Sequence, residues 1–284
     1  MQRAEGRSSL VAPLQKVVGG FFAVFFPSDC RLCETPLVTL SRLPVCPECL
    51  DSLERIRFPQ CVLCGERLVA AQLLVGDGQC HACRDYPPEF ERAVSYGEYA
   101  AGLRDLVHLL KYDGLLPAGG PLGELLAQSI ADLRLPLDDA SLLIVPVPLH
   151  SSKRRERRFN QSELIARAAM RHLPAGFELA PHVLVRHRET HSQVGLDREA
   201  RIQNMRGAFR VIDAERIAGR TVIVVDDVMT TGTTVSECAR VLKRAGAATV
   251  FAATVARTLK APVTQDCGNS LQGEQVEALE LASV

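Results

Sequence analysis

Apolar residues along the middle of the chain follow two different periods. Runs rich in β-branched residues predict strands over 141–147, 221–225 and 248–255. Helical spacing of apolar residues predicts helices over about 102–111, 121–133, 160–172 and 234–245. Continuous apolar strands that alternate with helices are typical of a parallel sheet covered on both faces. The predicted fold class is therefore α/β, a parallel sheet flanked by helices.

The composition of the chain changes along its length and predicts four parts. Residues 1–27 are expected to form an apolar leader helix, 28–86 a cysteine-rich module, 90–258 the α/β domain and 259–284 a disordered tail. The apolar stretch 17–26 is too short to cross a bilayer, so no membrane span is expected. Lysine plus arginine equal aspartate plus glutamate at 33 each, which removes any global electrostatic case for nucleic acid and leaves only local basic patches.

Eight of the ten cysteines form four C-x-x-C pairs near the N-terminus. The paired residues are Cys30 and Cys33, Cys46 and Cys49, Cys61 and Cys64, and Cys80 and Cys83. Their spacing is typical of zinc ribbons and favours zinc over disulfides, which predicts one or two structural Zn²⁺ ions and a cytoplasmic, reducing location. The spacing favours sequential pairing of the quartets, and a cross-braced arrangement stays open. Cys238 is expected in the core.

The most informative segment is an apolar run that ends in two acids and a hydroxyl-rich turn. It contains Asp226 and Asp227, followed by Thr230, Thr231, Gly232, Thr233 and Thr234. Ligands of open α/β sheets bind at the carboxyl ends of strands. Thr234 and Glu237 fit a capping box, so the helix start is expected to hold a phosphate, while the acids suit sugar hydroxyls. The alternative is a strand-turn-helix corner in which these residues serve only as cap and turn.

This segment resembles the phosphoribosyl pyrophosphate signature of type I phosphoribosyltransferases. Residues 146–150, 157–161 and 186–209, with the paired cysteines, resemble the ComF/GntX family over about residues 25–258. The resemblance implies that Asp226 and Asp227 hold the ribose hydroxyls as the catalytic acids, and that Thr230 to Thr234 enclose the 5′-phosphate of phosphoribosyl pyrophosphate bound with Mg²⁺. The family usually has glycine where this chain has Arg158, so either the position does not require a positive φ or the loop is altered.

Two basic segments complete the predicted site. Residues 153–158 carry five positive charges and one negative, and are interpreted as a pyrophosphate loop, with single-stranded nucleic acid as the competing ligand. Residues 186–209 are interpreted as a lid that excludes water. The predicted pyrophosphate and lid residues are Arg154, Arg157, Arg158, Asn160, Gln161, Arg186, Thr190, Gln193 and Arg201.

Two functional hypotheses follow from the resemblance. The first is a phosphoribosyltransferase, of which nucleobase salvage is one version. The second is a non-catalytic competence factor that binds single-stranded DNA and works with DNA-uptake or recombination proteins. Resemblance to ComF implies a part in DNA uptake and natural transformation in either case.

Overall fold

The computed structural model describes residues 28–37, 41–136, 142–190 and 198–259. The predicted leader helix, nearly all of the predicted tail and Gln193 lie outside the described residues. Among the residues that are described, no helix has the length and apolar character needed to cross a membrane.

The described part of the chain contains nine strands and nine α-helices. The strands are β1 (Ser28–Asp29), β2 (Pro36–Leu37), β3 (Ala93–Glu98), β4 (Leu142–Pro146), β5 (Phe177–Leu179), β6 (Leu184–Arg186), β7 (Phe209–Val211), β8 (Thr221–Met229) and β9 (Thr249–Arg257). The helices are α1 (Pro47–Asp51), α2 (Ala70–Val75), α3 (His81–Asp85), α4 (Ala101–Lys111), α5 (Gly119–Ala131), α6 (Ser151–Arg157), α7 (Gln161–Ala169), α8 (Arg198–Met205) and α9 (Thr233–Arg244).

Five strands form one parallel sheet in the order β3-β9-β8-β4-β5. Successive residues of its strands alternate between two apolar cores: Ile223 and Val225 of β8 belong to one, and Val222 and Val224 to the other. Helices α4, α5 and α7 cover the first face, and α9 covers the second. The arrangement confirms the predicted α/β class.

The two cysteine quartets pack against different faces of this sheet. Cys30 and Cys46 belong to the same apolar core as α4 and α5, whereas Cys61 and Cys83 belong to the core that α9 covers. Cys238 of α9 is fully buried in the second core, as expected. Both faces of the sheet are therefore closed in part by a cysteine cluster.

The predicted elements agree with the structure at all four helices and differ at two places near the site. β8 continues through both acids to Met229, because its backbone pairing with β9 persists from Asp226 opposite Thr254 to Met229 opposite Arg257. The prediction that the strand ends at residue 225 was wrong. The basic run, predicted as a loop, lies largely in the helix α6, and β3 was not predicted.

Arg158 ends α6 in the left-handed conformation, with φ 65° and ψ −7°. Its N–H donates to the carbonyl of Arg154 at 2.9 Å, which closes the last turn of the helix. The position where the resembled family usually has glycine thus adopts a positive φ here with an arginine side chain. A side chain in this conformation costs about 1–2 kcal/mol.

We expect Arg158→Gly to stabilise the protein by about 1 kcal/mol, because glycine adopts this backbone conformation without the steric penalty. Urea unfolding of both proteins would measure the difference. Arg158→Ala is the matched control, since it removes the guanidinium and keeps the strained backbone. An equal gain in both variants would assign the effect to charge and contradict the backbone explanation.

Candidate functional site

Two adjacent carboxylates occupy the carboxyl-terminal end of the central strand β8. Asp227 is only 3% exposed, and its Oδ2 lies 2.8 Å from Nζ of Lys111, the last residue of α4. Asp226 is half-buried, and its Oδ1 accepts hydrogen bonds from Oγ of Ser162 at 2.7 Å and from the backbone N–H of Asp227 at 3.0 Å. Helices α4 and α7 therefore hold the acid pair in place.

The acid pair has perturbed electrostatics. Burial, followed by the charge of Asp227, raises the pKa of Asp226 to about 7, and the hydrogen bond from Ser162 opposes this shift. Burial alone would lower the pKa of Lys111, but the ion pair with Asp227 raises it above its ordinary value. Lys111 therefore pairs with Asp227, while the raised pKa of Asp226 lies near neutral pH.

The turn after β8 leads directly into α9. Gly232, at φ 77°, is the N-cap, and α9 begins at Thr233. The hydroxyls of Thr231 and Thr233 are 2.8 Å apart. The first N–H groups of an α-helix have no partner within the helix, so such a start, next to hydroxyls, suits an anion.

The predicted capping box at this helix is wrong. Because α9 begins at Thr233, Thr234 lies inside the helix and cannot be its N-cap. The carboxylate of Glu237 instead accepts a hydrogen bond from the backbone N–H of Gly207 at 2.7 Å and pairs with Arg240. Glu237 thus connects α9 to the end of the predicted lid.

The segment after β4 meets the beginning of the predicted lid. Oγ of Ser152, in α6, donates to Oε1 of Glu189 at 2.8 Å and lies 2.9 Å from Nδ1 of His150. Asn160 caps α7: its Nδ2 donates to the carbonyl of Val147 at 3.0 Å, and its Oδ1 accepts from the N–H of Ser162. The cap places Ser162 against Asp226.

The predicted pyrophosphate and lid residues differ in their contacts and in their exposure. The guanidinium of Arg157 lies 5.5 Å from the ring centroid of Tyr112, and that of Arg186 bonds Thr190 and lies 5.7 Å from the ring of Phe209. Arg154 and Arg158 are exposed, Gln161 is buried at the start of α7, and Arg201 lies on α8. Burial lowers the pKa of Arg186, and the nearby carboxylate of Asp226 opposes this shift.

Sequence reasoning missed Lys111 and Ser162. Lys111 ends an apolar helix that was predicted, but no motif connects it to Asp227. Ser162 directly follows the segment 157–161 and carries no signal of its own. Both residues reach the acids only through tertiary packing of α4 and α7.

The two cysteine clusters pair sequentially. Cys30, Cys33, Cys46 and Cys49 form one group, and Cys61, Cys64, Cys80 and Cys83 form the other, with all sulfurs of a group within 4.8 Å of one another. This settles the pairing that the sequence left open.

Sulfur separations in both groups fit a tetrahedral metal. The Sγ atoms of Cys33 and Cys46 are 3.7 Å apart, as are those of Cys64 and Cys80. Zn–S bonds of about 2.3 Å give sulfur separations of about 3.8 Å in a tetrahedron. Backbone N–H groups also point at sulfurs, from Cys46 to Cys30 and from Cys80 to Cys61, each at 3.3 Å. Each group could hold one zinc ion.

Known proteins show similarity to this chain over most of its length. The phosphoribosyl transferase domain family matches residues 160–266. The DNA utilization protein YhgH of Salmonella typhi is 35% identical over 237 residues, which cover 82% of this chain and 98% of that protein. Competence protein F of Haemophilus influenzae is 28% identical over 228 residues, which cover 78% of this chain and 93% of that protein.

Solved structures of proteins whose names include phosphoribosylpyrophosphate also match this chain. The glutamine phosphoribosylpyrophosphate amidotransferase of B. subtilis, complexed with ADP and GMP, is 22% identical and covers 49% of this chain. The match spans 26% of that chain at a TM-score of 0.28.

We expect Asp226→Asn to raise the melting temperature at pH 8 and to have a much smaller effect at pH 5. The pKa of Asp226 is raised to about 7 in the folded protein, above its unfolded value near 4. Stability is therefore lost as pH rises from about 4 to 7 and Asp226 ionises, and the asparagine variant escapes this loss. Thermal melts at both pH values would measure it.

Asp227→Asn is the matched control for this experiment. It leaves Lys111 without its carboxylate, so it should lower the melting temperature at both pH values. A pH-independent difference between wild type and Asp226→Asn would contradict the raised pKa.

Proposed function

Because the chain belongs to the ComF/GntX family and carries a phosphoribosyltransferase-type domain, we propose that it binds phosphoribosyl pyrophosphate with Mg²⁺ at the carboxyl end of β8. One observation carries the proposal: the half-buried Asp226 and the buried Asp227 precede the Gly232 turn that opens α9. Carboxylates suited to sugar hydroxyls thus adjoin a helix start suited to a phosphate.

Each part of the ligand has a matching group of residues. The turn Thr230 to Thr234 would bind the 5′-phosphate through backbone N–H groups and hydroxyls, with Gly232 allowing close approach. Asp226 and Asp227 would accept hydrogen bonds from the ribose hydroxyls. The pyrophosphate would lie against cations and amides of the other two segments, namely Arg154, Arg157, Arg158, Asn160, Gln161, Arg186, Thr190, Gln193 and Arg201.

The carboxylates and the ligand's own phosphates suit Mg²⁺, which commonly binds one or two protein carboxylates together with phosphates. When bound, the ion would neutralise charge on the pyrophosphate. The chain's own contribution would be positional and electrostatic: Asp226 and Asp227 orient the ribose, and Arg157 and Arg186 stabilise the departing pyrophosphate. We assign Zn²⁺ a structural part at the two cysteine groups, because cysteine fills all four positions of each.

Single-stranded DNA is a second candidate ligand, and a different observation favours it. Lys153, Arg154 and Arg155 are consecutive exposed residues of α6. The relatives are named for DNA utilization and competence. We infer a cytoplasmic protein of DNA uptake that works with DNA-uptake or recombination proteins, in which α6 contacts the DNA backbone beside the ribose site.

We expect Asp226→Asn/Asp227→Asn to weaken binding of phosphoribosyl pyrophosphate with Mg²⁺ by at least about 100-fold, because two hydrogen bonds to charged groups are lost, each worth about 1.5–3 kcal/mol. Isothermal titration calorimetry would measure the affinities. Asp105→Asn, an exposed acid of α4 bonded to Arg104, is the control and should bind as wild type. Equal affinity of the double variant and wild type would remove the ribose assignment.

For the DNA hypothesis, we expect Lys153→Gln/Arg154→Gln/Arg155→Gln to weaken single-stranded DNA binding and to flatten its salt dependence. Three lost phosphate contacts should reduce the slope of log affinity against log salt by about 2, since each contributes about 0.7. Fluorescence anisotropy across a salt series would measure this. Arg167→Gln, in α7, removes a cation that pairs with Glu163 and should leave the slope unchanged. An unaltered slope in the triple variant would defeat this candidate.

A further inference from the structure

Arg257 lies at the end of β9, against the second cysteine group. Its side chain is almost fully buried, with only 2% of the residue exposed. Nη2 lies 3.6 Å from Sγ of Cys64 and 3.2 Å from Oε2 of Glu66. A guanidinium is thus placed in direct contact with one predicted metal ligand.

The hydrogen-bond donors of this guanidinium are only partly satisfied. Nε and Nη1 of Arg257 are buried and have no hydrogen-bond partner within the described part of the chain. A buried cation is costly unless negative charge surrounds it. Glu66 supplies one carboxylate. Four thiolates on one Zn²⁺ carry a net negative charge and accept hydrogen bonds at sulfur, which suits a buried guanidinium whose Nη2 contacts Cys64.

Arg257 is also connected, through strand β8, to the turn at residues 230–234. Arg257 pairs in register with Met229, the last residue of β8, and the N–H of Thr258 donates to the carbonyl of Met229 at 3.0 Å. Gly232 packs against Met229 and Phe90: a Cβ built on it would lie 3.5 Å from Sδ of Met229 and 3.7 Å from Cζ of Phe90. Arg257 is therefore connected to the turn through the pairing of β9 with β8.

Two further contacts join the second cysteine group to the same turn. Cys64 and Cys83 line a cleft of about 430 Å³ that residues 231–233 also line. The N–H of Glu89, just after the second group, donates to Oγ of Ser236 in the first turns of α9 at 3.0 Å. The first group packs against the opposite face of the sheet, with α4 and α5.

We propose that Arg257 is a positioning residue that couples the metal-loaded second cysteine group, and not the first, to the turn at residues 230–234. It holds the end of β9 against the thiolates, and the pairing of β9 with β8 then fixes Met229 and the turn. The consequence for phosphate affinity rests on the proposed function.

The test compares Arg257→Met and Arg257→Lys with wild type. Loss of an outer-sphere partner commonly costs about 10- to 100-fold in metal affinity, so Arg257→Met should release its second zinc to a chelator about 10- to 100-fold faster. Hydrogen exchange of residues 229–236 should increase, and affinity for phosphoribosyl pyrophosphate with Mg²⁺ should fall several-fold. Arg257→Lys keeps the charge and should be intermediate.

Arg84→Met is the matched control. Arg84 lies in the same cysteine module and makes a salt bridge with Asp77 at the surface, so its loss should leave zinc release and hydrogen exchange at residues 229–236 as in wild type. Zinc release and exchange in Arg257→Met that equal those of wild type would overturn the coupling.

Two further comparisons distinguish failure of the coupling from failure of the proposed function and from failure of the variant to fold. Wild type that binds no phosphoribosyl pyrophosphate would defeat the proposed function, while zinc release and exchange still decide the coupling. If Arg257→Met does not fold, a second experiment replaces it. Zinc is then removed stepwise from wild type and from Cys33→Ser, a variant that weakens only the first group. Exchange at residues 229–236 should rise with loss of the second zinc alone; a rise that follows the first zinc would overturn the proposal.

Discussion

Adjacent carboxylates in the central strand of a sheet require a compensating positive charge, because burial penalises each anion and the two repel. Lys111 supplies this charge from the end of α4, 2.8 Å from Asp227. Ser162 supplies a hydroxyl to Asp226 from the first turn of α7. The positions of two helices are thus coupled to the charge on one strand. The same arrangement leaves the pKa of Asp226 raised to about 7, because burial and the charge of Asp227 outweigh the hydrogen bond from Ser162.

Strands β4, β8 and β9 of the sheet and the helices that cover it could be predicted because their signal is periodic and local, whereas the edge strands β3 and β5 were not predicted. The end of β8 could not be predicted, because the apolar run ends at the first charged residue. Backbone pairing with β9 does not depend on side-chain polarity and continues to Met229. The ion pair between Lys111 and Asp227 was invisible for a related reason. It joins residues far apart in the chain, and neither residue carries a pattern that names the other.

The basic run shows how a departure from a family pattern is resolved by geometry. Its residues lack the apolar spacing of a helix that packs on a core, so the sequence predicted a loop, yet Ser151–Arg157 form a helix at the surface. Arg158 then reverses the chain with φ 65° and lets Asn160 cap α7. The chain adopts a backbone conformation that favours glycine and accepts the strain of a side chain there.

The proposed phosphate turn is centred on Gly232, which has no side chain of its own to hold it. Its rigidity has to come from what packs beneath it. Gly232 lies on Met229 and Phe90, and the strand pair behind Met229 ends at Arg257, beside Cys64. The second cysteine group therefore does more than close the core on its face of the sheet. Because the turn derives its support from that direction, a metal bound there would govern how well the N–H groups stay aligned.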